Sequence, residues 1–205
     1  SVQAAIGAVN AVAFDISAAC AGFIFAMNIV EGFFKAGIYK TALIIGAETL
    51  SKVTDWSDRG TCVLFGDGAG AAVLKAEETG IIDMMMGADG TKGDVLACPS
   101  STVGNFLPGP KPELGFMTMD GQEVFKFAVR KVPESVMELL QRTGTKKEDI
   151  KYYVLHQANE RIIEVAARRL KEPMEKFPMT ISQFGNTSTA SIPLLLDDMI
   201  RKDML

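Results

Sequence analysis

The stretch Ala13-Phe-Asp-Ile-Ser-Ala-Ala-Cys20-Ala-Gly-Phe23 joins a short apolar strand, expected at 12–14, to an apolar run that meets no charge until Glu31. Between Ile16 and Val30 the only polar side chains are Ser17, Cys20 and Asn28. Such a run reads as a core helix from about Cys20 to Lys35, its first turn buried and poorly hydrated. A helix start is one of the few settings that favour a thiolate, because unpaired N–H groups and the helix dipole stabilise negative charge. Taken alone, a cysteine in an apolar run is more often an inert core thiol. The rest of the chain argues against that reading here.

Outward from this junction, strands and helices alternate. Strands are expected at 41–45, at 62–65 and 71–74 around the turn Gly66-Asp-Gly68, at 80–86 and at 152–155. Helices are expected from about Gly121 to Arg142, with Pro133 kinking or interrupting it, over 159–171, and after Pro193. Residues 88–118, rich in Gly and Pro, read as a long surface excursion. Such βαβ alternation predicts an α/β sandwich. A composition shift near Gly80 divides it into 1–80, carrying the cysteine, and 81–205. The Gly-rich piece 66–70 is not a phosphate loop, because a strand rather than a helix follows it.

Composition narrows the function classes. The 205 residues are 48% hydrophobic and 22% charged with net charge −4, which is globular and offers no electrostatic basis for nucleic acid. Three cysteines, Cys20, Cys62 and Cys98, lack metal-ligand spacing and are odd in number, so a reducing, cytoplasmic setting is expected and a zinc site is not. No run reaches the roughly 18 apolar residues of a membrane span, and no signal pattern is visible at the N-terminus.

His156 is the only histidine. It follows the apolar run Tyr152-Tyr-Val-Leu155 and precedes Gln157-Ala-Asn159-Glu-Arg161, which puts it at the C-terminal end of a strand, where α/β folds place ligands. Asn186 lies in Gly185-Asn186-Thr-Ser188, a small polar loop before another apolar helix. Singly these are a structural histidine and a turn residue. Together with Cys20, at three strand–loop–helix junctions, they suggest a thiol chemistry site.

The segments Ser17-Ala-Ala-Cys20-Ala-Gly-Phe23, His156-Gln-Ala-Asn159-x-Arg161-Ile and Gly185-Asn186-Thr-Ser188-x-Ala190-Ser191-Ile-Pro193 resemble the three active-site segments of β-ketoacyl-[acyl-carrier-protein] synthase III. Asp58-Arg59-Gly-Thr61, Phe65-Gly-Asp-Gly-Ala-Gly-Ala71 and Gly121-Gln-Glu-Val-Phe125-Lys126 match that family as well. The resemblance implies a thiolase-like layered α/β/α/β/α sandwich built from two similar halves, with the opening strands and the Gly-rich C-terminal strand-loop having no counterpart in this chain. It implies a decarboxylative condensation of an acyl-CoA primer with malonyl-[acyl-carrier-protein], a homodimer when complete, and no metal or redox cofactor. Cys20, His156 and Asn186 would be catalytic. Arg59, Leu64, Phe65, Met119, Gly121, Phe125, Ala158 and Asn159 would meet coenzyme A or line the acyl pocket. Lys126, Gln157, Ala158, Asn159, Glu160, Arg161, Arg168 and Arg169 would meet the carrier protein.

The last set has some support from periodicity. At about 100° per residue Ile162, Ile163, Ala166 and Leu170 fall on one side of the helix after His156, with Arg161 and Arg168 opposite and Arg169 and Lys171 flanking them. By itself this is an ordinary solvated face. Beside an active-site motif, on an acidic protein, it suits an acidic partner.

Other readings compete. Elongating synthases use Cys-His-His, and this chain has one histidine. Polyketide-type synthases share Cys-His-Asn. A papain-like protease also orders Cys, His and Asn this way, with a spacing of 136 residues between Cys20 and His156, but lacks a match to the Cys-Gly-Ser-Cys-Trp signature here. A non-enzymatic scaffold that binds carrier protein is the remaining alternative.

Overall fold

The alternation of β-branched, apolar and small residues over 41–48 makes the strand that organises the N-terminal half. The computed structural model describes residues 1–99 and 115–205. A single capped turn, α1 (Val2–Ala5), leads through extended chain to α2 (Gly22–Lys35). Strand β1 (Thr41–Glu48) then pairs antiparallel with β2 (Gly68–Lys75), in register from Thr41 opposite Lys75 to Glu48 opposite Gly68. The face carrying Ile44, Ala72 and Leu74 packs with Phe23, Met27 and Val30 of α2 and with Ile192 and Leu196 of α6 (Ser191–Arg201). The opposite face presents Leu43, Ile45 and Val73, all exposed.

A ladder of two residues, β3 (Leu96–Ala97) against β4 (Thr118–Met119), brings together the two described parts of the Gly/Pro-rich excursion, whose residues 100–114 lie outside the described residues. From it runs α3 (Gly121–Thr143), capped by Asp120 accepting from the N–H groups of Gln122 and Glu123 and ended by Gly144 in the left-handed conformation, φ 67°. It packs on α4 (Glu160–Leu170), which Asn159 caps. Tyr153, Ile163, Ala167, Leu170 and Phe177 form a second core, where the Tyr153 and Phe177 rings stack with centroids 4.8 Å apart. A short α5 (Ile181–Phe184) precedes the polar loop and α6.

Several expectations are corrected. Residues 12–14 and 81–86 form no strand. Residues 62–64 are a turn, and only Phe65 makes a bridge, to Asn186 rather than to β2. Residues 152–155 are not a strand either, although Tyr153 and Leu155 enter one core and Val154 the other with a strand's alternation. A strand needs a ladder, and among the described residues the backbone bond given to this segment is Tyr153 N–H to the Lys176 carbonyl, 2.8 Å. Pro133 neither ends nor divides α3, since only the Val129 carbonyl loses its bond. Beyond Gly22 and Phe23, α2 is half-buried rather than fully enclosed. One core cluster unites Phe23 and Ile44 with Ile192, so residues on both sides of Gly80 share it.

Candidate active site

Cys20 stands in a single tight turn, Ala19–Ala21, that feeds directly into α2. Ala19 takes φ 44°, a left-handed conformation that an alanine seldom adopts. Neither Ala18 nor Ala21 offers a side-chain cap, so the first N–H groups of the helix start lack one. The turn is held from the far end of the chain: the Thr189 hydroxyl donates to the Ala19 carbonyl at 2.6 Å, and Ser188 next to it is itself left-handed, φ 49°. A Cβ on Gly46 of β1 would lie 2.7 Å from the Thr189 carbonyl oxygen, so glycine there lets β1 approach the Ser188–Ala190 turn.

Cys20 is half-buried, and burial pushes its thiol above the ordinary value. A hydrogen bond with the Ser188 side chain pulls it down, the Glu48 carboxylate pushes it up, and the Cys20 N–H pulls it down. The net direction is upward. This differs from the expected depression at a helix start: desolvation and a neighbouring carboxylate outweigh the hydrogen bonds that favour the thiolate. Glu48, at the end of β1, also accepts from the Thr189 N–H at 3.4 Å.

Asn186 is buried, 7% exposed, and fixed at both levels of structure. Its N–H donates to the Leu64 carbonyl and its carbonyl accepts from the Gly66 N–H, each at 2.9 Å. A Cβ on Gly66 would collide with the Phe184 carbonyl oxygen, so this approach requires glycine. The side-chain Oδ1 accepts from the Ser188 N–H at 2.9 Å. The Nδ2 hydrogens remain as donors.

His156 has Nδ1 2.6 Å from the Ser191 Oγ, while its Nε2 is buried without a partner among the described residues. Burial lowers its pKa to about 4, so the ring is neutral at pH 7. Cys20, His156 and Asn186 therefore converge on one short segment, 186–191, through Ser188, Ser191 and Asn186 itself.

The other expected residues scatter more widely. Leu64 and Phe65 are half-buried against the Asn186 backbone. Arg59 is exposed on a turn closed by the Asp58 carboxylate, which accepts from the Gly60 N–H and the Thr61 hydroxyl, both at 2.8 Å. Met119, Gly121 and Phe125 lie where β4 meets α3, a region tied to the N-terminal half by Met117 N–H to the Val53 carbonyl, 2.7 Å. Ala158 and Asn159 are half-buried at the start of α4, and Glu160, Arg161, Arg168 and Arg169 are exposed along it. Lys126 is exposed and paired with Glu123 at 2.8 Å. Gln157 does not belong with them. It is 1% exposed, donates from Nε2 to the Leu155 carbonyl and accepts at Oε1 from the Thr180 N–H, both at 2.9 Å, so it cannot meet a docking protein.

The family described as 3-oxoacyl-[acyl-carrier-protein] synthase III matches residues 14–90, which include Cys20, and its C-terminal part matches residues 140–205, which include His156 and Asn186. The chain belongs to that family. The β-ketoacyl-[acyl-carrier-protein] synthase III of Clostridium acetobutylicum is 51% identical over all of this chain and 63% of its own length. The crystal structure of the Aquifex aeolicus VF5 synthase III superposes with a TM-score of 0.90 at 43% identity, covering 100% of this chain and 63% of that one. A priming β-ketosynthase from the R1128 polyketide pathway gives a TM-score of 0.89 at 37% identity, covering 100% of this chain and 61% of that one. These likenesses place the fold in the thiolase-like α/β class. The chain spans about 63% of the length of the curated relatives it matches. No helix among the described residues is long and apolar enough to cross a membrane.

The sequence reading quoted Ser188 and Ser191 within a family segment but gave them no role, and it passed over Thr189 and Glu48. A signal was available for the first three, which are hydroxyl side chains within five residues of Asn186. Glu48 ends a strand and carried no such signal.

Proposed function

We propose that the protein carrying this chain is an acyltransferase that condenses an acyl-CoA primer, such as acetyl-CoA, with malonyl-[acyl-carrier-protein], the step that initiates type II fatty-acid synthesis. One observation carries the reading: beside Ser188, which meets Cys20, Asn186 has its Oδ1 committed to the Ser188 N–H and its Nδ2 left to donate, while the His156 Nε2 is buried without a partner among the described residues. Two polar groups without partners among the described residues, joined to Cys20 through the segment 186–191, suit a reaction that develops negative charge on a thioester oxygen.

In this reading the Cys20 sulfur attacks the primer's thioester carbon, a new C–S bond forms, and coenzyme A leaves as thiolate and takes up a proton. Malonyl-carrier protein then loses CO₂, the electrons of the broken C–C bond passing into an enolate. His156 and Asn186 hydrogen-bond that enolate oxygen. The enolate carbon attacks the acyl-cysteine carbonyl, and the Cys20 thiolate departs. No metal or redox cofactor enters these steps. The carrier protein would dock on Arg161, Arg168 and Arg169, which make no ion pair among the described residues, with Ala158, Asn159, Glu160 and Lys126 at the edge. Arg59, Leu64, Phe65, Met119, Gly121 and Phe125 would serve coenzyme A and the acyl pocket. A homodimer in the cytoplasm completes the proposal.

The likeness to a polyketide priming ketosynthase favours one second reading, the same chemistry feeding a polyketide chain. The protease reading loses ground. There Asn would orient the histidine, whereas here Ser191 occupies His156 Nδ1 and Asn186 is turned to Ser188.

Intact-mass measurement after incubation with a panel of acyl-CoAs, beside a peptide-cleavage assay, tests the proposal in a protein extended to the length of its relatives. An acyl mass on Cys20 without peptide cleavage is expected. Peptide cleavage with no acyl adduct contradicts it.

A further inference from the structure

Ser191 opens α6, is 2% exposed, and has its Oγ 2.6 Å from His156 Nδ1. The backbone N–H of Gln157 donates to the same oxygen at 3.4 Å. A serine hydroxyl has one hydrogen and two lone pairs, and a neutral imidazole has one N–H and one bare nitrogen. With one lone pair facing Gln157, two arrangements remain. If Nδ1 held the proton, Oγ would accept twice. The serine hydrogen would then have no acceptor among the described residues, and Nε2 would be a buried lone pair without a donor. If Ser191 donates to Nδ1, the proton sits on Nε2 and that N–H is the single unmet group. Each buried polar group left unmatched carries the cost of its desolvation, so the arrangement with one prevails over the arrangement with two.

The surrounding backbone holds this geometry. Gln157 is pinned on both ends of its amide, to Leu155 and Thr180, which fixes the peptide that presents the imidazole. Ser191 is in turn fixed at the start of α6, the helix that packs on β2.

We infer that Ser191 is a positioning residue that holds His156 in its Nε2–H tautomer, so that the chain's only histidine meets the site as a hydrogen-bond donor and not as a base for Cys20. The inference rests on the condensation reading only for which oxygen the Nε2–H meets.

The single histidine makes the test direct, because ¹⁵N-histidine labelling of the 205-residue chain gives one pair of ring nitrogens by NMR. At pH 7 the expected pattern is a protonated Nε2 and a bare Nδ1. Ser191→Ala should convert that single form into a mixture or into the Nδ1–H form. A protonated Nδ1 in the wild-type chain overturns the inference whether or not the variant folds, and so does an unchanged pattern in a folded Ser191→Ala chain. The spectrum reads no reaction, so either result leaves the condensation proposal to its own assay.

Discussion

The Thr189 hydroxyl donates to the Ala19 carbonyl across 2.6 Å, joining residues 170 positions apart. Both ends of this bond lie in turns with a left-handed residue, Ala19 at φ 44° and Ser188 at φ 49°. Such conformations persist only where neighbouring structure fixes them. The turn that carries Cys20 is thus set by the loop that carries Asn186. Thr189→Val removes the hydroxyl at nearly constant volume and should lower stability by about 0.5–1.5 kcal/mol, read as a fall in urea midpoint at unchanged slope. An unaltered midpoint would show that the two turns stand without the bond.

Glycines at the same junction should respond oppositely to alanine. Gly46→Ala drives a methyl against the Thr189 carbonyl and should cost about 1–3 kcal/mol. Gly32→Ala, on an exposed face of α2 with nothing within 4 Å, should stabilise by about 0.5–1 kcal/mol. Thermal melts of the two variants check the contrast. Equal shifts would mean that β1 and the Ser188–Ala190 turn are not in close contact.

Alkylation of Cys20 should rise with pH along a curve displaced above that of an ordinary thiol, because burial and the Glu48 carboxylate both disfavour the thiolate. Glu48→Gln keeps an acceptor for the Thr189 N–H but removes the charge, and should move the curve to lower pH. Peptide mapping of iodoacetamide adducts against pH measures both. A Glu48→Gln curve displaced upward would contradict the electrostatic account.

His156 gives a pH dependence of stability with a defined sign. Its folded pKa is about 4 against an ordinary 6.5, so between these values the unfolded chain binds the proton and the folded one does not. The stabilisation is complete above pH 6.5 and is lost as pH falls toward 4, on the order of 3 kcal/mol in all. His156→Gln should lack that slope over the same window. Parallel denaturant titrations of both chains at pH 7, 6, 5 and 4.5 would show it, and coincident slopes would contradict a buried neutral imidazole.

Much of this site was legible because its chemistry lies in short, local signals. The apolar run after Cys20, the single His156 at the end of 152–155 and the Gly-Asn-Thr-Ser loop each announced themselves, and α2, β1, β2, α3 and α4 follow from hydrophobic spacing. What the sequence concealed depends on long-range pairing. Residues 12–14, 81–86 and 152–155 have strand composition, but a strand exists only where a neighbour completes its ladder. The thiol's upward shift was hidden for the same reason, since its burial and the nearby Glu48 carboxylate arise only in the folded chain. Gln157 looked like a surface residue at a helix start until its amide was found bonded inside.

In the proposed condensation, Cys20 takes the acyl group while His156 and Asn186 serve the decarboxylation. In a protein extended to its relatives' length, acyl-enzyme can be weighed by intact mass while CO₂ release from malonyl-[acyl-carrier-protein] is followed in the same sample. The account predicts that His156→Ala and Asn186→Ala still acylate at Cys20 but lose roughly 10²–10³ in CO₂ release, whereas Cys20→Ala forms no acyl-enzyme. If His156→Ala abolished acylation as completely as Cys20→Ala, His156 would be the base that activates the thiol, and the division of labour described here would be contradicted.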